Sequence, residues 1–425
     1  MESTLIKRIS SWIDEHGSSE LTFLASLIQE PSVQGNEAGA QKSIAKKFTE
    51  MGLTVDTWYP DAEILAKHPV FHSNRTSFDS SPNVVGVWQG TGGGRSIILN
   101  GHIDVVPEGD PSQWSDDPFS GYIVDGRVFG RGSSDMKGGI FSAILAVRSL
   151  QALNIRLRGD VILQSVVEEE SGGAGTLSAL LRGYRADACL IPEPTDMRIF
   201  VSQQGSMWFR IRVPGVSAHG GTRYEGVNAI EKGMYLIQGL QFLEKQRNDR
   251  MDNPLYRHFQ IPIPINVGVF HAGKWPSSVP DHAVIEGRIG VGPHETWGSV
   301  CQEMESFVHD WTQRDPWLRE HPPAIEWFGA RWMPSEIDVS HELTTSLVNG
   351  FRHVLGKDPI VEGAPWATDA GLFTHVGKIP SIVFGPGTTR LAHYPNESVA
   401  IRDLFDAAKV MAATLIEWCG VSSPQ

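Results

Sequence analysis

The run Ile97-Ile98-Leu99-Asn100-Gly101-His102-Ile103-Asp104-Val105-Val106-Pro107 delivers a histidine and an aspartate, two residues apart, to the end of an apolar strand. Side chains alternate along a strand, so both are expected on one face. An imidazole that binds a metal commonly donates its other N–H to a carboxylate, which fixes the tautomer and raises ligand basicity. His102 then reads as a ligand and Asp104 as its orienter, although a buried histidine bonded to a neighbouring aspartate fits the pair equally well. Further strand ends and loops supply Asp135, the triplet Glu168-Glu169-Glu170, Glu193 and, much later, His393. This is a nitrogen and oxygen donor set without thiolates, which suits Zn²⁺, with Co²⁺ or Mn²⁺ as substitutes. Two such ions about 3.5 Å apart need a bridging carboxylate, for which Asp135 is the candidate, and room for a water of lowered pKa.

Consecutive glutamates repel one another, and a solvated acidic turn accounts for Glu168 to Glu170 taken alone. Beside a metal centre the labour can be divided: Glu170 binds an ion, and Glu169 takes a proton from the attacking water and returns it to the leaving amine. Gly172 and Gly173 let the backbone turn tightly nearby. Gly385-Pro386-Gly387 reads as a substrate-facing turn, because glycine permits close approach to a ligand. Thr368 and Asp369 either support that turn or cap a helix.

The elements that must position these groups show in the periodicity. Leu5, Ile9, Trp12 and Ile13, and again Leu21, Leu24, Leu27 and Ile28, recur at helical spacing, with Pro31 as a stop. A third helix is predicted over 37–51, closed by Gly52 and followed by a strand over 53–58, and 60–82 reads as an elaborated polar loop holding Lys67, His68, Ser73, Asn74, Arg75 and Ser80. Strands are expected over 83–89, 96–100, 160–167 and 188–192, with a buried helix face at Ile140, Ile144, Val147 and Leu150. Strand, loop and helix alternate, and the reactive residues fall at strand ends, where open α/β sheets place their sites. From about Gln204 the pattern becomes that of a compact α+β module: a strand over 207–213, a helix over 228–243, a loop rich in Pro and Asn, a strand over 283–290, a helix over 295–314 and a strand over 324–328. A helix over 340–355 and a strand over 381–384 return to the first style, so the module reads as an insertion.

At 425 residues the chain is expected to form two domains. The balance of 36 basic against 49 acidic residues disfavours nucleic acid or an anionic membrane as partner. Cys189, Cys301 and Cys419 lie far apart with no CxxC spacing, which suits a reducing compartment. The stretch Met1 to Arg8 lacks the apolar segment of a signal peptide, and no run approaches about 18 apolar residues, so a cytoplasmic protein without a membrane span is expected.

Taken in order, Pro31-Ser32-Val33, the His-x-Asp strand, Gly130-Arg131-Gly132-Ser133-Ser134-Asp135-Met136-Lys137-Gly138-Gly139, Glu169-Glu170-Ser171-Gly172-Gly173, Glu193-Pro194-Thr195 and His393-Tyr394-Pro395-Asn396-Glu397 carry a family resemblance. The chain resembles the dinuclear-zinc M20 metallopeptidases and amidohydrolases. That resemblance implies an α/β catalytic domain with a mixed, largely parallel sheet flanked by helices, over residues 1–204 and 332–425, and an inserted α+β dimerisation or lid domain over 205–331. It implies that His102, Asp135, Glu170, Glu193 and His393 hold two divalent ions, with Asp135 as the bridge, a cis peptide after it, Asp104 behind His102, and Glu169 as general base. Two departures stand out: Glu168 occupies a place where many members carry aspartate, and Ser277-Ser278-Val279-Pro280 one where several carry an asparagine-containing turn.

Within the module, Val216-Ser217-Ala218-His219-Gly220-Gly221 resembles the segment whose histidine reaches a partner subunit's active site and steadies the oxyanion, which implies a homodimer; an exposed loop histidine is the plainer reading. Arg288 resembles the arginine that fixes a substrate carboxylate, and fits equally a solvated strand arginine. The activity implied is removal of a small acyl group, such as acetyl, formyl or succinyl, from an N-acyl amino acid or related metabolite. Acetylornithine deacetylation stands nearest, with desuccinylation, dipeptide or carboxypeptide hydrolysis, and non-catalytic binding as alternatives.

Overall fold

A computed structural model of the chain describes residues 2–73 and 75–422. Asn74 of the polar stretch and Met1 of the amino-terminal stretch lie outside the described residues. Two compact units are present: one runs to Ser202, takes up Ser335–Glu362 and continues from Asp369, and the other comprises Gln203–Pro334 and Gly363–Thr368. Residues 363–368 therefore group with the second unit, although the sequence pattern places them with the first.

The first unit is built on a nine-stranded sheet in the order Thr54–Trp58, Asn83–Trp88, Val161–Val166, Ile97–His102, Cys189–Ile191, Ser381–Val383, Ile199–Gln203 and Ser335–Glu336, with Val361–Ala364 pairing Ile199–Gln203 off this path. The sheet is mixed. Its four central strands, Val161–Val166, Ile97–His102, Cys189–Ile191 and Ser381–Val383, are mutually parallel; Thr54–Trp58 and Asn83–Trp88 on one side and Ile199–Gln203 on the other run antiparallel to their neighbours. Parallel strands buried on both faces read as continuous apolar runs, as Val161–Val166 and Ile97–His102 do. Helices cover both faces, as two adjacent residues show: Asn100 donates to the Thr176 hydroxyl of helix Ala174–Leu181 at 3.1 Å, while Gly101, pointing the other way, lies against Ile140 of helix Gly138–Ala152.

Several elements differ from the sequence pattern. The two opening helices are one, Glu2–Ile28. Gly17 lies within it, and the Phe405 ring packs 2.7 Å from where a Cβ at that position would stand. The 60–82 stretch holds a short helix, Ala62–Ala66, capped by the Asp61 carboxylate. The strand Ile265–Ala272 lies inside the stretch read as a Pro- and Asn-rich loop, its alternation broken by a bulge between Val267 and Val269.

The second unit is a four-stranded antiparallel sheet, ordered Ile265–Ala272, His282–Val291, Gly205–Pro214 and Ala324–Trp332, with helices Ala229–Asp249 and Trp297–Thr312 on one face. Met207, Phe209, Ile211 and Val213 alternate into that face and meet Leu236, Leu240, Val300 and Met304. Trp208, Arg210 and Arg212 therefore lie on the opposite face, where Arg210 pairs with Glu286 at 2.6 Å and with Glu326 at 3.1 Å. Among the described residues, no helix is long and apolar enough to cross a membrane.

Helix Gly138–Ala152 starts directly after the Asp135 loop, and its seating depends on a glycine. A Cβ on Gly139 would stand 1.8 Å from the Pro192 carbonyl oxygen, on the main chain next to Glu193. Gly139→Ala should therefore cost about 2 kcal/mol or more in denaturant unfolding. Gly298→Ala, where the nearest atom is 3.9 Å away, should stay within about 0.5 kcal/mol of the parent. Equal stability of the two variants would contradict this account of the packing.

Candidate metal centre

The carboxyl ends of the central parallel strands deliver the reactive side chains: His102 closes its strand, Glu168 to Glu170 follow Val161–Val166, and Glu193 follows Cys189–Ile191. The loop Ser133–Lys137 contributes Asp135, with a cis peptide between Asp135 and Met136. His393 arrives from a turn with φ +63°. His102 Nε2 lies 3.2 Å from one Asp135 oxygen and 3.7 Å from Glu193, while His393 Nε2 lies 3.5 Å from the other Asp135 oxygen and 3.0 Å from Glu170. The two oxygens of Asp135 thus face two different imidazoles. His102, Asp135 and Glu170 can offer one ligand atom each within 4.8 Å of one another, and so can His102, Glu169 and Glu193.

Asp104 does not act as its spacing suggests. His102 Nδ1 lies 2.8 Å from the main-chain carbonyl of Asp104, and the carboxylate stands back at 3.7 Å. The chain leaves the strand at His102, so alternation no longer governs Asp104. Its carboxylate accepts instead from the backbone N–H groups of Glu169 and Glu170, each at 3.2 Å. Asp104 therefore aims two things at once: the imidazole through its carbonyl, and the glutamate turn through its side chain.

A second support carries no clear sequence signal. Glu397 is fully buried and accepts from the backbone N–H of Ser134 at 2.8 Å and of Asp135 at 3.0 Å, while its other oxygen takes the Arg131 guanidinium at 2.6 Å. Removing one partner of such a pair leaves a buried charge at a cost of about 3–5 kcal/mol. On the other side of the loop, buried Lys137 donates to the carbonyls of Leu27 and Glu30, each at 2.8 Å, and burial lowers its pKa to about 7. Glu397 closes the last motif quoted from the sequence, and proximity to His393 was the one cue to it.

The glycines Gly385 and Gly387 have a packing reason. A Cβ on Gly385 would stand 2.5 Å from Pro192, and one on Gly387, at φ +82°, 2.4 Å from the Ser134 hydroxyl. Asp369 does not cap helix Ala370–Leu372 with its side chain but accepts from the Thr176 hydroxyl at 2.6 Å. His219, in the second unit, is exposed, and its Nδ1 accepts from Gly221 N–H at 3.1 Å. Arg288 keeps Nε and Nη2 buried without a hydrogen-bond partner among the described residues, and burial lowers its pKa.

The electrostatics follow from the crowding. Burial pushes Glu169 and Glu193 well above the carboxylate range, and the acidic neighbours add to it against the pull of His102. Burial also lifts Asp104 to about 7. Burial would depress His102, but Glu193, Asp135 and Asp104 carry it well above its ordinary value; hydrogen bonds to Asp135 and Glu170 raise His393 to about 10. Asp135, despite burial, is held well below the carboxylate range by the two imidazoles. A buried excess of carboxylates around two imidazoles, all hard or borderline donors, is the environment that divalent cations neutralise, so the residues fit a metal centre.

A cluster of this kind at the ends of parallel strands defines a metal-dependent hydrolase. Residues 98–417 match the model of peptidase family M20/M25/M40, and the chain belongs to that family. Its enzymes are dinuclear metal-binding hydrolases of amide bonds. The chain is 32% identical, over 98% of both sequences, to an N-formyl-4-amino-5-aminomethyl-2-methylpyrimidine deformylase of Halalkalibacterium halodurans. It is 26% identical to an acetylornithine deacetylase of Edwardsiella ictaluri, over 94% of this chain and 98% of that one. Its fold matches the di-peptidase Dug1p of Saccharomyces cerevisiae with a TM-score of 0.76 at 18% identity over the whole of both chains.

The double duty of Asp104 generates a test. Asp104→Asn keeps the main-chain carbonyl behind His102 but sets an amide N–H₂ against one of the two glutamate N–H groups. Metal affinity, read by chelator competition, should fall about 10- to 100-fold while the protein stays folded. Unchanged affinity would show that the turn is held without it.

Proposed function

We propose that this chain hydrolyses the amide of a small N-acyl metabolite, releasing a short carboxylate and a free amine. The observation that carries the reading is the placement of Asp135, whose two carboxylate oxygens face His102 and His393 separately, with Glu169 close to His102. In this reading His102, Asp135, Glu170, Glu193 and His393 hold two divalent ions, Zn²⁺ first and Co²⁺ or Mn²⁺ as substitutes. Bound there, such ions supply Lewis acidity to a carbonyl oxygen and to water.

The chain's own residues do the rest. Glu169, fixed through its backbone N–H by Asp104, accepts the proton lost by the attacking water. It returns that proton to the amine nitrogen as the C–N bond breaks. His219, supplied by a second copy of the chain, donates to the carbonyl oxygen as negative charge develops. That role makes the second unit the dimerisation module of a homodimer.

For the acyl group, the relative at 32% identity supports formyl on an aminomethylpyrimidine. One observation favours a second substrate, an N-acyl amino acid of the acetylornithine kind. Arg288 carries buried, unpartnered guanidinium nitrogens, which suit a substrate carboxylate. The enzyme acts, in either case, on a small molecule rather than on nucleic acid or membrane, and the cytoplasm is its expected compartment.

The two substrates separate in one experiment. N-formylated aminomethylpyrimidine and N-acetylornithine are compared with the parent and with Arg288→Met; a carboxylate-dependent enzyme loses turnover of the second substrate by about 10²-fold in kcat/KM, and a deformylase prefers the first whatever stands at 288. Chelation should abolish turnover of the preferred substrate, and Zn²⁺ or Co²⁺ should restore it. Glu169→Gln should lower kcat by about 10²- to 10⁴-fold with metal still bound. Full activity after verified metal removal, or in Glu169→Gln, would overturn the reading.

A further inference from the structure

Glu168 is neither base nor ligand in the reading above, yet it is fully buried and adopts φ +63°, a left-handed conformation uncommon for a residue with a Cβ. Its backbone conformation sets where the next two side chains point, because a return to the right-handed region would swing Glu169 and Glu170 away together. The main chain holds it in part, through Gly173 N–H on the Glu168 carbonyl at 2.7 Å. Its side chain accepts a hydrogen bond from the Ser73 hydroxyl, in the polar stretch before Asn83.

That stretch is itself anchored. The Ser73 oxygen accepts from Arg75 N–H at 3.0 Å, and Arg75 pairs with buried Glu37 at 2.9 Å, donates to the Ser77 carbonyl at 2.8 Å and lies over the Phe78 ring. Ser80 donates to the Gly35 carbonyl at 2.6 Å, and Ser81 to Glu37. The His72 carbonyl packs against Gly172, 3.1 Å from where a Cβ would stand. The glutamate turn is thus gripped from two sides, by Asp104 on its N–H groups and by Ser73 on the side chain of Glu168.

We propose that Ser73 is a positioning residue for the reaction, acting through Glu168 to hold Glu169 and Glu170 in aim. This rests on Glu169 being the base. It also gives a reason for glutamate at 168, since an aspartate, one methylene shorter, falls short of Ser73.

Ser73→Ala, assayed at saturating metal, should lower kcat about 10- to 100-fold, the scale of a small misplacement at a reacting centre, with KM unchanged. Backbone amides of 168–172 should exchange hydrogen faster, and Ser73→Thr, which keeps the hydroxyl, should hold kcat near the parent. Glu168→Asp tests the same contact from the other end: its kcat defect should match that of Ser73→Ala, and the double variant should be no slower than either single one. If Ser73→Ala does not fold, the defect of Glu168→Asp alone decides. Parent-like kcat in Ser73→Ala or Glu168→Asp, additive losses, or a loss that saturating metal fully restores would overturn the proposal. Glu169→Gln separates it from the functional reading: if that variant is inert while Ser73→Ala is as fast as the parent, the positioning role alone falls.

Discussion

Concentrated negative charge inside a folded domain is the constraint on which the rest of this structure depends. Asp104, Glu169 and Glu193 beyond the ends of neighbouring strands, and Asp135 in the loop beside them, are withdrawn from bulk water, and each ionised carboxylate would cost several kcal/mol there if left alone. Two imidazoles among them take part of that charge, and Asp135, lying between both, is the group most strongly held in its ionised form. The charge that remains is of the kind that bound divalent cations would neutralise. The parallel centre of the sheet makes the crowding possible, because it aligns the carboxyl ends of four strands along one edge.

Charges so arranged have to be kept from moving apart, and the surrounding polar groups do this through the backbone more than through side chains. Asp104 accepts from the amides of Glu169 and Glu170; Glu397 accepts from those of Ser134 and Asp135 and is neutralised by Arg131. Lys137 ties the end of helix Glu2–Ile28 to the same loop. For Asp104 and Glu397 a buried charged group, otherwise expensive, is satisfied by fixing main chain that bears or adjoins a reactive residue. The glycines at 139, 385 and 387 belong to the same design, since they let those segments close to contact around Pro192 and Ser134.

The second unit obeys different rules. Its sheet is half-covered, with an apolar face under two helices and a charged face paired mainly by Arg210, Arg212, Glu286 and Glu326. Arg288 on that sheet lacks such a partner for Nε and Nη2 among the described residues.

Much of this could be read from the sequence: the alternation of strand and helix, the apolar runs of the buried strands, the change of style near Gln204, and the strand-end histidines and carboxylates whose order marks the family. Such features are local, because each depends on residues within a few positions of one another. The packing of Phe405 against Gly17 joins residues far apart in the chain, the partner of Asp104 depended on where the strand ended, and the partners of Glu397 and Ser73 lie 262 and 95 positions away in sequence. Hydrogen-bond acceptors carry no mark of their donors along the chain. Which carboxylates would meet, and which backbone groups would hold them, was decided only when the strands came together.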